Sequence, residues 1–175
     1  MKKLFFLRKT DQTAQQFESL VSPHTEHLYR VAYRFCGNRA DAEDLVQDLY
    51  TKLYSRDTAL VGIEQLRPWL AKSLYRSYID QYRRNSRYVD GENDSLESSA
   101  PEIEQPEMKF RQTEQQRAIQ ECLSKLSEEH RSLIILADIE GYSLPELQQV
   151  FDIPEGTVKS RLHRARAKFR EYLSD

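Results

Sequence analysis

Between Lys159 and Arg170 six positive side chains, Lys159, Arg161, Arg164, Arg166, Lys168 and Arg170, stand with no acid among them, in a chain of 175 residues whose net charge is only −2. Guanidinium and ammonium groups at this density neutralise phosphates and, from the right helix face, hydrogen-bond to guanine edges. A second basic run lies upstream. From Gln65 to Arg87 there are six basic residues against Asp80 alone, interleaved with Trp69, Tyr75, Tyr78 and Tyr82, with Tyr88 just beyond. Cations follow a phosphate backbone and aromatic faces accept unstacked bases, the pairing that holds single-stranded nucleic acid. A third constellation is acidic: Asp41, Asp44 and Asp48 recur at i, i+3 and i+7 with Gln47 beside them, so three carboxylates line one helix edge. Its bland reading is helix-dipole compensation plus an Asp48–Lys52 pair. Catalytic chemistry finds little support. There is no phosphate-cradling glycine loop, and His24, His27, His130 and His163 lack metal-ligand spacing beyond the weak His24/His27 pair. Cys36 and Cys122 sit in apolar helical patterns and read as small core residues. No catalytic residue, metal site or cofactor is indicated.

The elements that must carry these groups read as helices. Val158, Leu162, Ala165, Phe169 and Leu173 form one apolar stripe, with the basic face opposite. Before it, Tyr142 to Asp152 reads as a short helix with Ser143 as cap, Glu146 completing a capping box and Pro145 in the first turn. Leu147, Val150 and Phe151 supply its apolar face, and Asp152-Ile153-Pro154 breaks it. Helix, tight turn and basic helix make a helix-turn-helix, whose second helix enters the major groove by its N-terminal turns. Lys159, Ser160, His163 and Arg164 then face away from the apolar stripe, toward base edges and phosphates.

Upstream, a helix through Phe17 to Val21 is expected to end before Pro23, which opens the next, marked by Leu28, Val31, Ala32 and Phe35 and closed by Gly37-Asn38. A third helix runs from Asp41 to Tyr54 with Leu45, Val46, Leu49 and Leu53 buried. Ser55 to Glu64 reads as a loop, and Pro68 opens a fourth helix, Trp69 to about Arg87. Asn85 to Phe110 carries two basic and seven acidic residues with almost nothing apolar, a linker without a core of its own. Beyond it, Gln112 to Leu126 carries Ile119, Cys122 and Leu123. Ser127 caps Glu128 to Ile139, with Leu133, Ile134 and Leu136 buried. The expected architecture is all-α: two small helical domains joined by a flexible acidic linker, divided as 1–11 loose terminus, 12–87 first domain, 88–110 linker and 111–175 second domain. Its apolar runs are too short to span a bilayer and its start too brief for a signal peptide, so no membrane insertion and a cytoplasmic location are expected.

Four strings in this order resemble the sigma-70 family of bacterial RNA polymerase sigma factors, specifically its extracytoplasmic-function group. They are Asp41-Ala-Glu-Asp-Leu-Val-Gln-Asp; Arg67-Pro-Trp-Leu with Ile79-Asp80 and Arg83-Arg84; Leu126-Ser-Glu-Glu-His-Arg; and Ile153-Pro-Glu-Gly-Thr-Val-Lys-Ser-Arg-Leu-His-Arg-Ala-Arg. The resemblance implies a non-enzymatic promoter-specificity subunit whose partners are core RNA polymerase and promoter DNA. An anti-sigma factor is a frequent further partner in this group, though no residue here identifies one. By resemblance the first domain is the region 2 helical bundle and the second the region 4 helix-turn-helix domain. Asp41, Asp44, Gln47 and Asp48 become the polymerase-docking surface, and the loop Ser55 to Glu64 the pocket for a flipped minus-10 base. Trp69, Lys72, Arg76, Tyr78, Tyr82, Arg83 and Arg84 become the minus-10 reader. Thr157, Lys159, Ser160, Arg161, His163, Arg164 and Arg166 become the minus-35 reader.

The sequence departs from the family strings in two places. Ser73-Leu74-Tyr75-Arg76 stands where Ile-Ala-Arg-Asn is common, and in the helix-turn-helix Gln148 and Asp152 replace a small Ala and a Gly. Asp tolerates a left-handed backbone better than most residues, so the turn is expected to survive. The rival readings are an ordinary helix-turn-helix regulator, which leaves the basic-aromatic helix without a use, and a helical enzyme of nucleic-acid metabolism.

Overall fold

A computed structural model describes residues 11–55, 60, 62–89 and 114–174. Residues 1–10 of the expected loose terminus, 56–59 and 61 of the base-pocket loop and 90–110 of the acidic linker lie outside the described residues. Helix α1 spans Asp11–Cys36 without a break. The two expected helices are therefore one, with Pro23 inside. Pro23 lies on the exposed side of α1, so the Ser19 carbonyl that it leaves unpaired faces water and the helix need not stop. Gly37 then ends α1 at φ +78°, its N–H donating to the Tyr33 carbonyl (2.8 Å).

Asn38 starts α2 (Arg39–Ser55) as a reciprocal cap: its Oδ1 accepts from the Asp41 N–H (2.9 Å) and its Nδ2 donates to the Asp41 carboxylate (2.8 Å). Helix α3 spans Leu66–Val89, so Pro68 lies inside its first turn. Leu28, Val31, Ala32 and Phe35 of α1 pack against Leu45, Leu49 and Leu53 of α2 and Leu70 and Leu74 of α3, closing a three-helix bundle.

In the second block, α4 (Glu114–Ser124) is followed by Ser127, whose side chain caps α5 (Glu128–Ile134) as expected. The segment expected to run on to Ile139 does so as a π-helical turn, Ile135–Ile139, with the Glu140 N–H donating to the Ile135 carbonyl (2.9 Å). Ser132 to Leu136 are five consecutive buried residues, so this helix is covered on every side and forms the centre of its block. Arg131 ties the block's start together. Its Nε donates to the Leu123 carbonyl (2.9 Å) and its Nη2 to those of Ser124 (2.9 Å) and Leu126 (3.2 Å), satisfying the open C-terminal end of α4.

The capping box forms at the start of α6 (Leu144–Phe151): Ser143 Oγ accepts from the Glu146 N–H, and Glu146 accepts from the Ser143 N–H. Asp152 takes the left-handed conformation (φ 59°) as the turn required, and α7 runs from Glu155 to Ser174. Val158, Leu162 and Ala165 of its stripe are buried, but Leu173 is 50% exposed. Tyr172 takes that place in the packing, its carbonyl accepting from Cys122 Sγ (3.3 Å) beneath Lys125.

The two blocks pack against each other. Glu140, with a side chain only 6% exposed, enters a ring of α1 bases: Arg34 Nε donates to it at 3.0 Å, His27 Nδ1 lies at 3.2 Å and Arg30 Nε at 4.0 Å. Arg67 of α3 donates to the Glu140 carbonyl oxygen (2.7 Å), lies over the Tyr142 ring (4.1 Å) and reaches Glu146 (3.6 Å). Burial pushes the Tyr142 phenol up to about 12, so it keeps its proton and can donate to His27 Nε2 (2.7 Å).

Two expectations follow. Arg131→Ala removes the donations to the Leu123, Ser124 and Leu126 carbonyls and should lower unfolding free energy by about 2–3 kcal/mol, read from urea midpoints. For Glu140, burial alone would raise the carboxyl, but His27 and Arg34 outweigh it and hold it below its ordinary 4.5. A carboxyl depressed by folding contributes stability that is present above its unfolded value and lost as pH falls through the folded one. The melting temperature of Glu140→Gln should therefore lie below that of the parent protein at about pH 6, and the gap should close on acidification below about pH 4.

Candidate nucleic-acid interface

Helix α7 presents its basic face because Val158, Leu162 and Ala165 hold the opposite face in the core. Its first turn is set by Pro154, whose carbonyl accepts from the N–H groups of Thr157 (2.9 Å) and Val158 (3.0 Å). Lys159, Ser160, His163 and Arg164 are all exposed on the expected side, while Thr157 is half-buried at the mouth of the turn. Lys159 pairs with Glu155 one turn back (2.6 Å), and Arg164 Nε donates to the Ser160 carbonyl (3.4 Å), with no ion pair to Arg164 among the described residues.

The remaining arginines of this face divide differently. Arg161 is ion-paired to Glu129 at the start of α5. Arg166 grips Asp138 of the π-helical turn through two nitrogens (3.0 and 2.5 Å). In this arrangement both of these expected DNA-binding residues are thus ion-paired within their own block. His130, held below its ordinary value by burial and then by Lys168 and Arg164, adds no charge beside them near neutral pH.

Helix α3 shows a divided face as well. Tyr82, 42% exposed, Arg83 and Arg84 stand in solvent. Tyr78, only 5% exposed, is stacked on Phe35 (5.0 Å between ring centres), and its hydroxyl accepts from Arg131 Nη1 (3.4 Å). The expectation of Tyr78 as an open base platform therefore fails in this arrangement: a tyrosine one turn after Leu74 falls on the bundle side of α3. Trp69 is half-buried. Lys72 Nζ and Arg76 Nη2 each lie 3.3 Å from the Asp152 carboxylate, and Tyr75 meets the Phe151 ring edge-on at 4.8 Å. Between these parts runs a cleft of about 880 Å³, lined by Trp69 and Lys72 on one side and Gln148, Asp152 and Pro154 on the other.

On α2, Asp41, Asp44, Gln47 and Asp48 are all exposed along one edge. Asp41 is engaged with Asn38, whereas the expected Asp48–Lys52 pair is absent, Lys52 turning instead toward Ser77 Oγ (3.5 Å). Asp44 and Asp48 are thereby left to solvent. Sequence reading gave Glu140, Tyr142, His27 and Arg67 no role in joining the two blocks. Their contacts join residues 73 to 115 positions apart, and nothing in local spacing marks them. Among the described residues no cluster of three or more His, Cys, Asp or Glu could hold a metal ion, and no helix is long and apolar enough to cross a membrane.

Profiles described as Sigma-70 region 2 and Sigma-70, region 4 match residues 20–88 and 116–169. The chain is 30% identical to the ECF RNA polymerase sigma factor SigE of Mycolicibacterium smegmatis over 94% of its own length and 64% of SigE. It is also 30% identical to the ECF RNA polymerase sigma factor SigL of Mycobacterium tuberculosis, over 93% of its length and 91% of SigL. Among solved structures it is similar to the sigma factor RpoE of Bartonella quintana, seen there in complex with the anti-sigma factor NepR. That likeness has a TM-score of 0.75 and 27% identity and covers 91% of this chain and 98% of RpoE. A helix-turn-helix with an outward basic face, preceded by a basic-aromatic helix and an acid-edged one, thus recurs here in the order and over the residues of both sigma regions: the chain belongs to the sigma-70 family of RNA polymerase sigma factors, in its extracytoplasmic-function group.

Proposed function

We propose that this sigma factor divides its work among three surfaces, without catalysis of its own. The exposed edge of α2, chiefly Asp44 and Asp48 with Gln47, docks on core RNA polymerase in the cytoplasm. Asp41 serves this edge mainly by holding the start of α2. The face of α3 from Trp69 to Arg84 holds the opened strand of the minus-10 element, with Lys72, Arg76, Arg83 and Arg84 on phosphates and Trp69 and Tyr82 on bases. The N-terminal turns of α7 read the minus-35 duplex.

The observation that carries this reading is the division of labour on α7. Arg161 and Arg166 are bound back to Glu129 and Asp138, so the helix is held at two points while Lys159, Ser160, His163 and Arg164 project together into solvent. A recognition helix needs both properties, because base-edge contacts are lost when the helix can rock. In this arrangement Arg164 is the side chain best placed for a guanine edge, and Lys159 and His163 for backbone phosphates. Thr157 lies where its hydroxyl and the first N–H groups of α7 meet a phosphate.

An ordinary helix-turn-helix regulator would need no acid-edged α2 and no second cationic helix, and it would act without polymerase. Run-off transcription with purified core polymerase and a genomic fragment pool decides between them: the sigma reading expects discrete new start sites only when this chain is added.

Three substitutions test the assignments. Arg164→Ala should weaken promoter binding by polymerase carrying this chain by about 1–3 kcal/mol and relax discrimination at one upstream base pair, read by competition between promoter variants. Arg166→Ala should instead weaken all upstream sequences together and lower the melting temperature, because it frees the helix rather than a base contact. Asp44→Lys with Asp48→Lys should abolish co-purification with core polymerase while leaving the helical circular dichroism spectrum and melting curve in place; intact co-purification would return both acids to a solvated edge.

A further inference from the structure

The contact between α3 and the helix-turn-helix turn has a chemistry of its own. Lys72 and Arg76 are one helical turn apart, and the two carboxylate oxygens of Asp152 are shared between them, Oδ1 with Lys72 Nζ and Oδ2 with Arg76 Nη2, each at 3.3 Å. The residue before it, Phe151, sets its ring against Tyr75 at 4.8 Å with the planes 69° apart. One anion bridging two cations, with an adjoining ring against an aromatic side chain, satisfies the same two groups that a nucleotide satisfies with its phosphate and base. The turn is held over α3 at its far end by Glu140 among His27, Arg30 and Arg34. Tyr82, Arg83 and Arg84 lie beyond the contact and remain exposed, as does the outward face of α7.

We infer that Phe151 and Asp152 act as an internal nucleotide mimic, occupying the Lys72–Arg76 half of the α3 single-strand face until the two blocks part. The inference rests on the proposed role of α3 in holding an opened strand. In the closed arrangement Asp152 neutralises Lys72 and Arg76, whose side chains stay 23% and 63% exposed, so a single strand is drawn to Arg83 and Arg84 first and to the Lys72–Arg76 half when Asp152 leaves. Exposed ion pairs of this kind are individually weak, so partner binding of ordinary strength is enough to displace them.

The test compares the full-length chain with Asp152→Asn, Glu140→Gln and the double variant. Asn tolerates the left-handed backbone at the turn, so the fold is kept while the charge is removed. Binding of a fluorescein-labelled, mixed-sequence single-stranded DNA of about 12 nucleotides is measured by anisotropy at fixed salt. Glu121→Gln combined with Glu18→Gln, exposed acids on α4 and α1, controls for the loss of two negative charges. The double variant should bind about tenfold tighter than the parent and the control should change less than about twofold. Binding by the double variant no tighter than by the parent, or no tighter than the charge control, overturns the mimic. Run-off transcription with polymerase carrying Lys72→Ala and Arg76→Ala separates the two possible failures. Full activity there removes the α3 reading itself, and the mimic with it; a defect there, beside unchanged binding by the double variant, removes the mimic alone.

Discussion

Glu140 is a carboxylate placed where a carboxylate should not be, its side chain almost wholly out of water, and the arrangement of the two helical blocks depends on how that cost is met. Withdrawing such a group from solvent costs several kcal/mol unless charged donors surround it. The donors come from the other block: Arg34 and His27 directly, Arg30 at the edge, with Arg67 on the carbonyl of the same residue. The carboxylate can be buried only while the blocks are together, and the blocks can be together at this spot only in the register that brings those donors to it. Its net energy is modest because desolvation cancels most of the attraction. Its main effect is on geometry, since it fixes which face of α3 the helix-turn-helix covers.

The same logic of a charge committed to structure runs through the arginines. Arg131 closes the end of α4, Arg161 and Arg166 strap α7 to α5 and the π-helical turn, and Arg67 lies between ring and carbonyl at the contact of the blocks. The planar, multidentate guanidinium suits these tasks as well as it suits phosphate. A count of basic residues on α7 therefore overstates the surface open to DNA. Arg164, near the N-terminal turns of α7, donates to a carbonyl of its own helix and, among the described residues, is in no ion pair.

The helices, their caps and the buried stripes could be read from the chain because each depends on residues within a turn or two. Ser143 with Glu146, Ser127 before α5, Gly37 after α1 and Asp152 at the turn all declare themselves locally, and all stand where the local chemistry put them. Pro23 misled for an instructive reason. Its effect depends on whether the carbonyl it strands can reach water, and that is decided by which side of α1 faces the bundle. Tyr78 misled similarly: an aromatic residue among cations looks like a base platform until Phe35 and Arg131 arrive to cover it.

Local periodicity and the four family strings determined the class of this protein: an all-α chain with a cationic recognition helix, a cationic-aromatic helix and an acid-edged helix. These properties are additive along the sequence and survive any packing that buries the apolar stripes. Only the tertiary structure decided which of the charged groups are committed inside the molecule, and that the turn after α6 lies on α3. Those outcomes turn on ion pairs and ring contacts between residues about a hundred positions apart, such as Arg34 with Glu140. A carboxylate carries no local mark of which distant cation will meet it, because the Coulombic choice is made by the fold that brings them within reach.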